Sequence, residues 1–179
     1  MSIQTPIAPE RRLSTTVKML YSVGSLGSSM KLAALSTFLV IYYNQVVKVD
    51  PKIVGAVLMV TVVADALFDP LIGQISDNFR SRWGRRHPFM LASAIPYAIS
   101  FFMLWNPPAG WSDMALGGYL LVCLLSVRFF DTFFELPHQA LAPELAKDYD
   151  ERTRLFAWRQ LFVVAGTLAL AQLGYRVFL

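Results

Sequence analysis

Long apolar runs alternate along this chain with short polar breaks. The runs cover roughly residues 17–43, 53–76, 88–105, 114–140 and 155–179, and every break carries proline, glycine or clustered charge. Helices of about 20 residues match the ~30 Å hydrocarbon core of a bilayer. The runs lack the polar face that a helix keeps toward water in a soluble bundle. The pattern predicts an all-α, multi-pass bundle of five transmembrane helices, preceded by a polar tail over residues 1–16.

The breaks supply local detail. Asp50-Pro51 opens the second helix, with proline in a first-turn position that needs no N–H. Asn106-Pro107-Pro108-Ala109-Gly110 closes the third, and Ser112 or Asp113 is placed to cap the fourth. Pro137 is expected to kink the end of the fourth helix. The charged stretch Pro143–Arg154 is expected to loop over to the fifth. Small residues over Gly24–Ala34 suit close helix packing or a cavity wall. Tyr42, Tyr43, Trp105 and Trp111 read as interfacial aromatic residues.

Composition agrees with a membrane setting. Of 179 residues, 55% are hydrophobic and 16% charged, with a mean hydropathy of +0.48. Soluble domains carry about 25% charged residues. The net charge of +4 is small and gathered in the breaks, which argues against a nucleic-acid partner and for a topology signal. Arg11, Arg12, Lys18, Arg80, Arg82, Arg85, Arg86, Lys147, Arg152 and Arg154 lie on one side of the five-span layout. Only Lys48, Lys52 and Arg176 lie on the other. The excess places the N-terminus in the cytoplasm, and the expected location is the cell (inner or plasma) membrane. Cys123 is a single cysteine, and His87 and His138 are far apart, so neither a disulfide nor a metal-ligand motif is indicated. No nucleophile–base pair or phosphate loop appears. The chain reads as no enzyme and calls for no organic cofactor.

The candidate chemistry lies in charges within the apolar runs. Asp65 and Asp69 are four residues apart on the second helix and so share one face. Lys31 on the first helix, Arg159 on the fifth, and Arg128, Asp131 and Glu135 on the fourth join them. The last three fall at i, i+3 and i+7, again on one face. Intramembrane charges are costly and usually mark an ion or solute path. They can also pair merely to hold helices together, as Lys31 with Asp65 or Arg128 with Asp131. Two carboxylates on one face resist neutralisation by a single lysine, and closely held oxygen ligands suit a small hard cation such as Na⁺, or a proton. Charge on four helices and none on the third suggests a shared polar cavity that excludes the third helix. His138 reads as a helix-end hydrogen-bonding group, and the phenylalanines around the charged face as packing or lipid-facing residues.

The segment DALFDPLIGQISDNFRSRWGRRHPF resembles the D-x-x-x-D-P-x-x-G…SRWG[RK] segment of the glycoside–pentoside–hexuronide:cation symporters, the melibiose permease-like branch of the major facilitator superfamily. ELPHQALAPELAKDYDERTRLFAWRQ, residues 135–160, resembles that family's helix 4–loop–helix 5 segment. The similarity covers nearly the whole chain and the first five of the family's twelve helices. It implies coupling-cation binding (Na⁺, Li⁺ or H⁺) at Asp65 and Asp69, solute contact at Glu135, and a place for Arg159 near the cavity's inner mouth. It further implies that Asp77, Arg82, Gly84, Arg85 and Arg86 form a cytoplasmic latch between transporter halves. Ser28 and Ser29 stand where melibiose-type members have a helix 1 acid and its lysine neighbour, and Gln139 where they have tryptophan. Those departures, with Lys31, Arg128 and His138, point to another solute. The loop RWGRRHPF is also similar to proton–sucrose carriers, and the acid pair to sodium–lysolipid carriers.

The expectation is the N-terminal part of a secondary active transporter performing cation-coupled symport of a sugar or glycoside by alternating access. It requires the C-terminal transporter half or another chain, and a fragment or truncated product is favoured. The alternatives are a carrier for lipid or another organic solute, and a non-transporting membrane interaction protein.

Overall fold

A computed structural model describes residues 13–78, 87–146 and 148–178. All regular structure among the described residues is helical. Five helices follow in order: α1 (Thr15–Val46), α2 (Pro51–Asn78), α3 (His87–Leu104), α4 (Asp113–Leu145) and α5 (Tyr149–Phe178). α1, α2, α4 and α5 are long and apolar enough to cross a bilayer. α3 is shorter: its 18 residues make roughly 27 Å at the helical rise, just under the hydrocarbon thickness. The five expected helices are present, and four of them meet the length of a full span.

The caps follow from the sequence. Asp50 Oδ1 accepts the Lys52 N–H at 2.8 Å, and Pro51 is the first residue of α2. Ser112 Oγ accepts the Ala115 N–H at 3.4 Å at the start of α4. Gly110 turns the chain between α3 and α4 at φ +79°, a left-handed conformation that glycine adopts without strain. The stretch expected to loop before the fifth helix is mostly helical instead. α4 runs through Pro137 to Leu145, and α5 begins at Tyr149. Asp148 Oδ2 accepts the N–H groups of Asp150 and Glu151 at 3.1 and 3.3 Å, so it caps α5. Asp150 and Glu151 then oppose the positive end of the helix dipole in the first turn.

Two compact units divide these helices. One contains Ala34–Ala140, hence the second part of α1, α2, α3 and most of α4. Leu39, Tyr43, Val54, Leu104, Leu120 and Leu124 form its apolar centre. Tyr43 is completely buried, and its hydroxyl donates to the Leu104 carbonyl at 2.8 Å. Tyr42 and Tyr119 donate to the carbonyls of Trp105 at 3.0 Å and Met103 at 2.7 Å. The bonds to Leu104 and Trp105 satisfy carbonyls that a helix C-terminus leaves open, and the Met103 carbonyl also accepts the Asn106 N–H at 3.0 Å. Tyr43 is therefore a buried side chain that caps the end of α3. α1 contains two wide turns with π geometry, Ala34–Phe38 and Tyr42–Val46.

The other unit joins the first part of α1 to the chain from Leu141 onward. Ser22, Ser25 and Ser29 are buried along α1. Gly166 of α5 lies directly against Leu26 and Ser29, so the small-residue stretch serves close packing. At one end, Lys18 Nζ lies 2.7 Å from Glu151 Oε2, beside a cluster of Tyr21, Ala142, Ala146 and Leu155.

Candidate functional site

α2 and α4 meet within the Ala34–Ala140 unit through matched polar pairs. Asp65 and Asp69 lie one turn apart on α2; Arg128 and Thr132 lie one turn apart on α4. Arg128 Nη1 is 3.0 Å from Asp65 Oδ2. Thr132 Oγ1 donates to Asp69 Oδ1 at 3.2 Å and also reaches the Arg128 carbonyl at 3.0 Å. Phe68 and Phe129, each next to one of these polar residues, meet edge-to-face at 5.2 Å. Phe129 continues into contacts with Phe130 and Phe133, which gives these rings the expected packing role.

The two carboxylates differ in their surroundings. Asp65 is partly buried and ion-paired. Asp69 is exposed within this unit and has the Thr132 hydroxyl, but no basic side chain, as a partner among the described residues. Pro70 follows it inside α2. Proline has no N–H to offer the carbonyl four residues earlier, so the Ala66 carbonyl lacks its usual helical donor. Carboxylate, hydroxyl and carbonyl oxygens are the ligands that hard cations take. No three His, Cys, Asp or Glu side chains come together among the described residues.

The expected residues fall in several places. The Arg128–Asp65 pair crosses between helices and was not among the pairings that the sequence suggested. Thr132 was missed altogether; its one signal is the four-residue spacing from Arg128, which repeats that of the acids. Asp131 is partly buried on α4. Glu135 Oε1 accepts the Gln139 Nε2 hydrogen at 2.9 Å, which ties the candidate solute acid to the residue that replaces tryptophan. His138 is buried and stacks on Phe134, with ring centroids 5.7 Å apart. α4 continues past it to Leu145, so His138 is a helix-interior residue and not a helix-end group. Lys31 and Arg159 are partly buried in the other unit, on α1 and α5. Asp77 is in the last turn of α2. Its side chain, with Arg82, Gly84, Arg85 and Arg86, lies outside the described residues.

Comparison with known proteins places this chain in a family. The model of the family described as MFS/sugar transport protein matches residues 20–179. The chain belongs to that family. Its members are membrane transporters and not enzymes. This family member is 35% identical over 163 residues to an uncharacterized symporter of Synechocystis, covering 88% of this chain and 30% of that protein. It is 29% identical over 163 residues to a putative glycoside/cation symporter of Escherichia coli, covering 89% and 35%. It is 30% identical over 158 residues to a sodium-dependent lysophosphatidylcholine symporter of Gallus gallus, covering 88% and 30%. The chain spans about a third of the length of these curated relatives.

Proposed function

We propose that this chain is the N-terminal part of a cation-coupled symporter for a sugar or glycoside, with Asp65 and Asp69 as the cation site. The observation that carries the reading is the acid pair itself, one turn apart on α2 and faced by the Thr132 hydroxyl. A cation there binds Asp65, Asp69, the Thr132 hydroxyl oxygen and the Ala66 carbonyl, as Na⁺ with its oxygen preference or as a proton on a carboxylate. Thr132 can turn its proton to the Arg128 carbonyl, leaving its lone pairs for the ion.

Glu135, together with Asp131 and Arg128 on the same helix of the Ala34–Ala140 unit, supplies polar groups for the solute. Coupling follows when each ligand binds more tightly to the state that the other prefers. Rocking of transporter halves about a site near mid-membrane then carries both across. Asp77, Arg82, Gly84, Arg85 and Arg86 latch the halves on the cytoplasmic side, where the N-terminus also lies. The similarity to a lysophosphatidylcholine symporter favours a second reading in which the solute is a lysolipid.

Uptake by proteoliposomes containing the full-length protein separates the two. Radiolabelled glycosides and lysophosphatidylcholine are offered under an inward Na⁺ or H⁺ gradient. Gradient-driven glycoside accumulation supports the first reading, and lysolipid accumulation alone replaces it with the second. No gradient-driven uptake of either solute contradicts both.

A further inference from the structure

We infer that Arg128 is a tethered counter-cation: its guanidinium holds Asp65 until a coupling cation displaces it, and so it sets the cation affinity. This deepens the proposed function and rests on Asp65 and Asp69 being the cation site.

Three features of the pair point to a displaceable charge. The contact is single, from Arg128 Nη1 to Asp65 Oδ2 at 3.0 Å, whereas a bidentate fork would add a second parallel bond. Arg128 Nε is buried and donates to no partner among the described residues, so no hydrogen-bond network fixes the guanidinium plane. The two side chains are 29% and 26% exposed, so the pair is not sealed inside this unit. Asp69, one turn away, carries no built-in positive charge. With arginine on Asp65, the three groups sum to one negative charge, the complement of one monovalent cation. When the guanidinium swings off, Asp65 can ligate the incoming ion together with Asp69. The ion therefore competes with a charge that the chain always carries with it.

Sodium binding by a single and a double variant tests this. The full-length protein in lipid nanodiscs is titrated with NaCl against choline chloride by calorimetry. Arg128→Gln removes the competitor and is expected to bind Na⁺ roughly fivefold more tightly, the ratio given by about 1 kcal/mol. Arg128→Gln with Asp65→Asn removes a cation ligand as well and is expected to bind at least about tenfold more weakly than wild type. If Arg128 and Asp65 are only a structural pair beside the site, their charges cancel and the double variant binds like wild type. That result overturns the inference while leaving Asp69 as a cation site. The double variant buries no unpaired charge, so it decides the matter even where Arg128→Gln does not fold. Asp69→Asn is the control for the site itself. Undiminished binding in that variant defeats the site assignment and the inference with it.

Discussion

Thr132 has one hydroxyl proton and two acceptors in reach, the Asp69 carboxylate at 3.2 Å and the Arg128 carbonyl at 3.0 Å. A hydroxyl in that position stabilises a lone carboxylate when the site is free of cation, and offers an oxygen when a cation arrives. Thr132→Val keeps the shape of a buried side chain and deletes both roles. Its cation affinity is expected to fall about tenfold, the equivalent of one lost hydrogen bond of ~1.4 kcal/mol, while Thr132→Ser stays near wild type; sodium titration of the two variants checks this. Pro70→Ala restores an N–H for the Ala66 carbonyl. The same titration should show weaker binding, because the backbone oxygen returns to the helix ladder. These residues were unequally legible in the sequence. The acids stood out because charge in an apolar run is costly wherever it points. Thr132 and the Arg128–Asp65 pair did not, because which side chains meet across two helices depends on how each helix is rotated about its axis.

Helix packing has its own weak points. A Cβ on Gly166 would fall 2.8 Å from the Leu26 carbonyl and nearer still to Ser29 Oγ. The neighbouring atom is backbone and cannot step aside, so Gly166→Ala is expected to cost about 2 kcal/mol through forced separation of α1 and α5. Thermal unfolding in detergent should show the loss, and Gly27→Ala, where a Cβ meets nothing, should not. Lys18 and Glu151 tie the first turns of the same two helices together. Removing either partner leaves a charge in a site that water barely reaches. Glu151→Gln should therefore lower the unfolding temperature more than Asp150→Asn, and the exchange of both residues, Lys18→Glu with Glu151→Lys, should recover part of it. At this scale the apolar runs predicted the five helices among the described residues, and Asp50-Pro51 and Ser112 predicted two of the starts. The start of α5 was obscured because the acids that favour a helix N-terminus read, residue by residue, like a charged loop.

For the whole molecule, membership in the family and the length of α1, α2, α4 and α5 make a multi-pass membrane protein. The arginine and lysine distribution predicts an orientation with the N-terminus in the cytoplasm. Cys123 is buried, so single cysteines introduced elsewhere can be read against a silent background. Ala109→Cys, between α3 and α4, is expected to react with a membrane-impermeant maleimide added to intact cells. Tyr149→Cys, which is 79% exposed, should react only after permeabilisation. The opposite pattern reverses the orientation. What holds the account together is the assignment of Asp65 and Asp69, since an ion-coupled carrier without an ion site has no means of coupling. The most direct test compares wild type with Asp69→Asn by intrinsic tryptophan fluorescence, titrating NaCl against choline chloride at pH 8 and then lowering the pH without sodium. The account predicts a saturable response to sodium or to protons in the wild type and none in Asp69→Asn. An identical response from both proteins, or no response from the wild type, contradicts it.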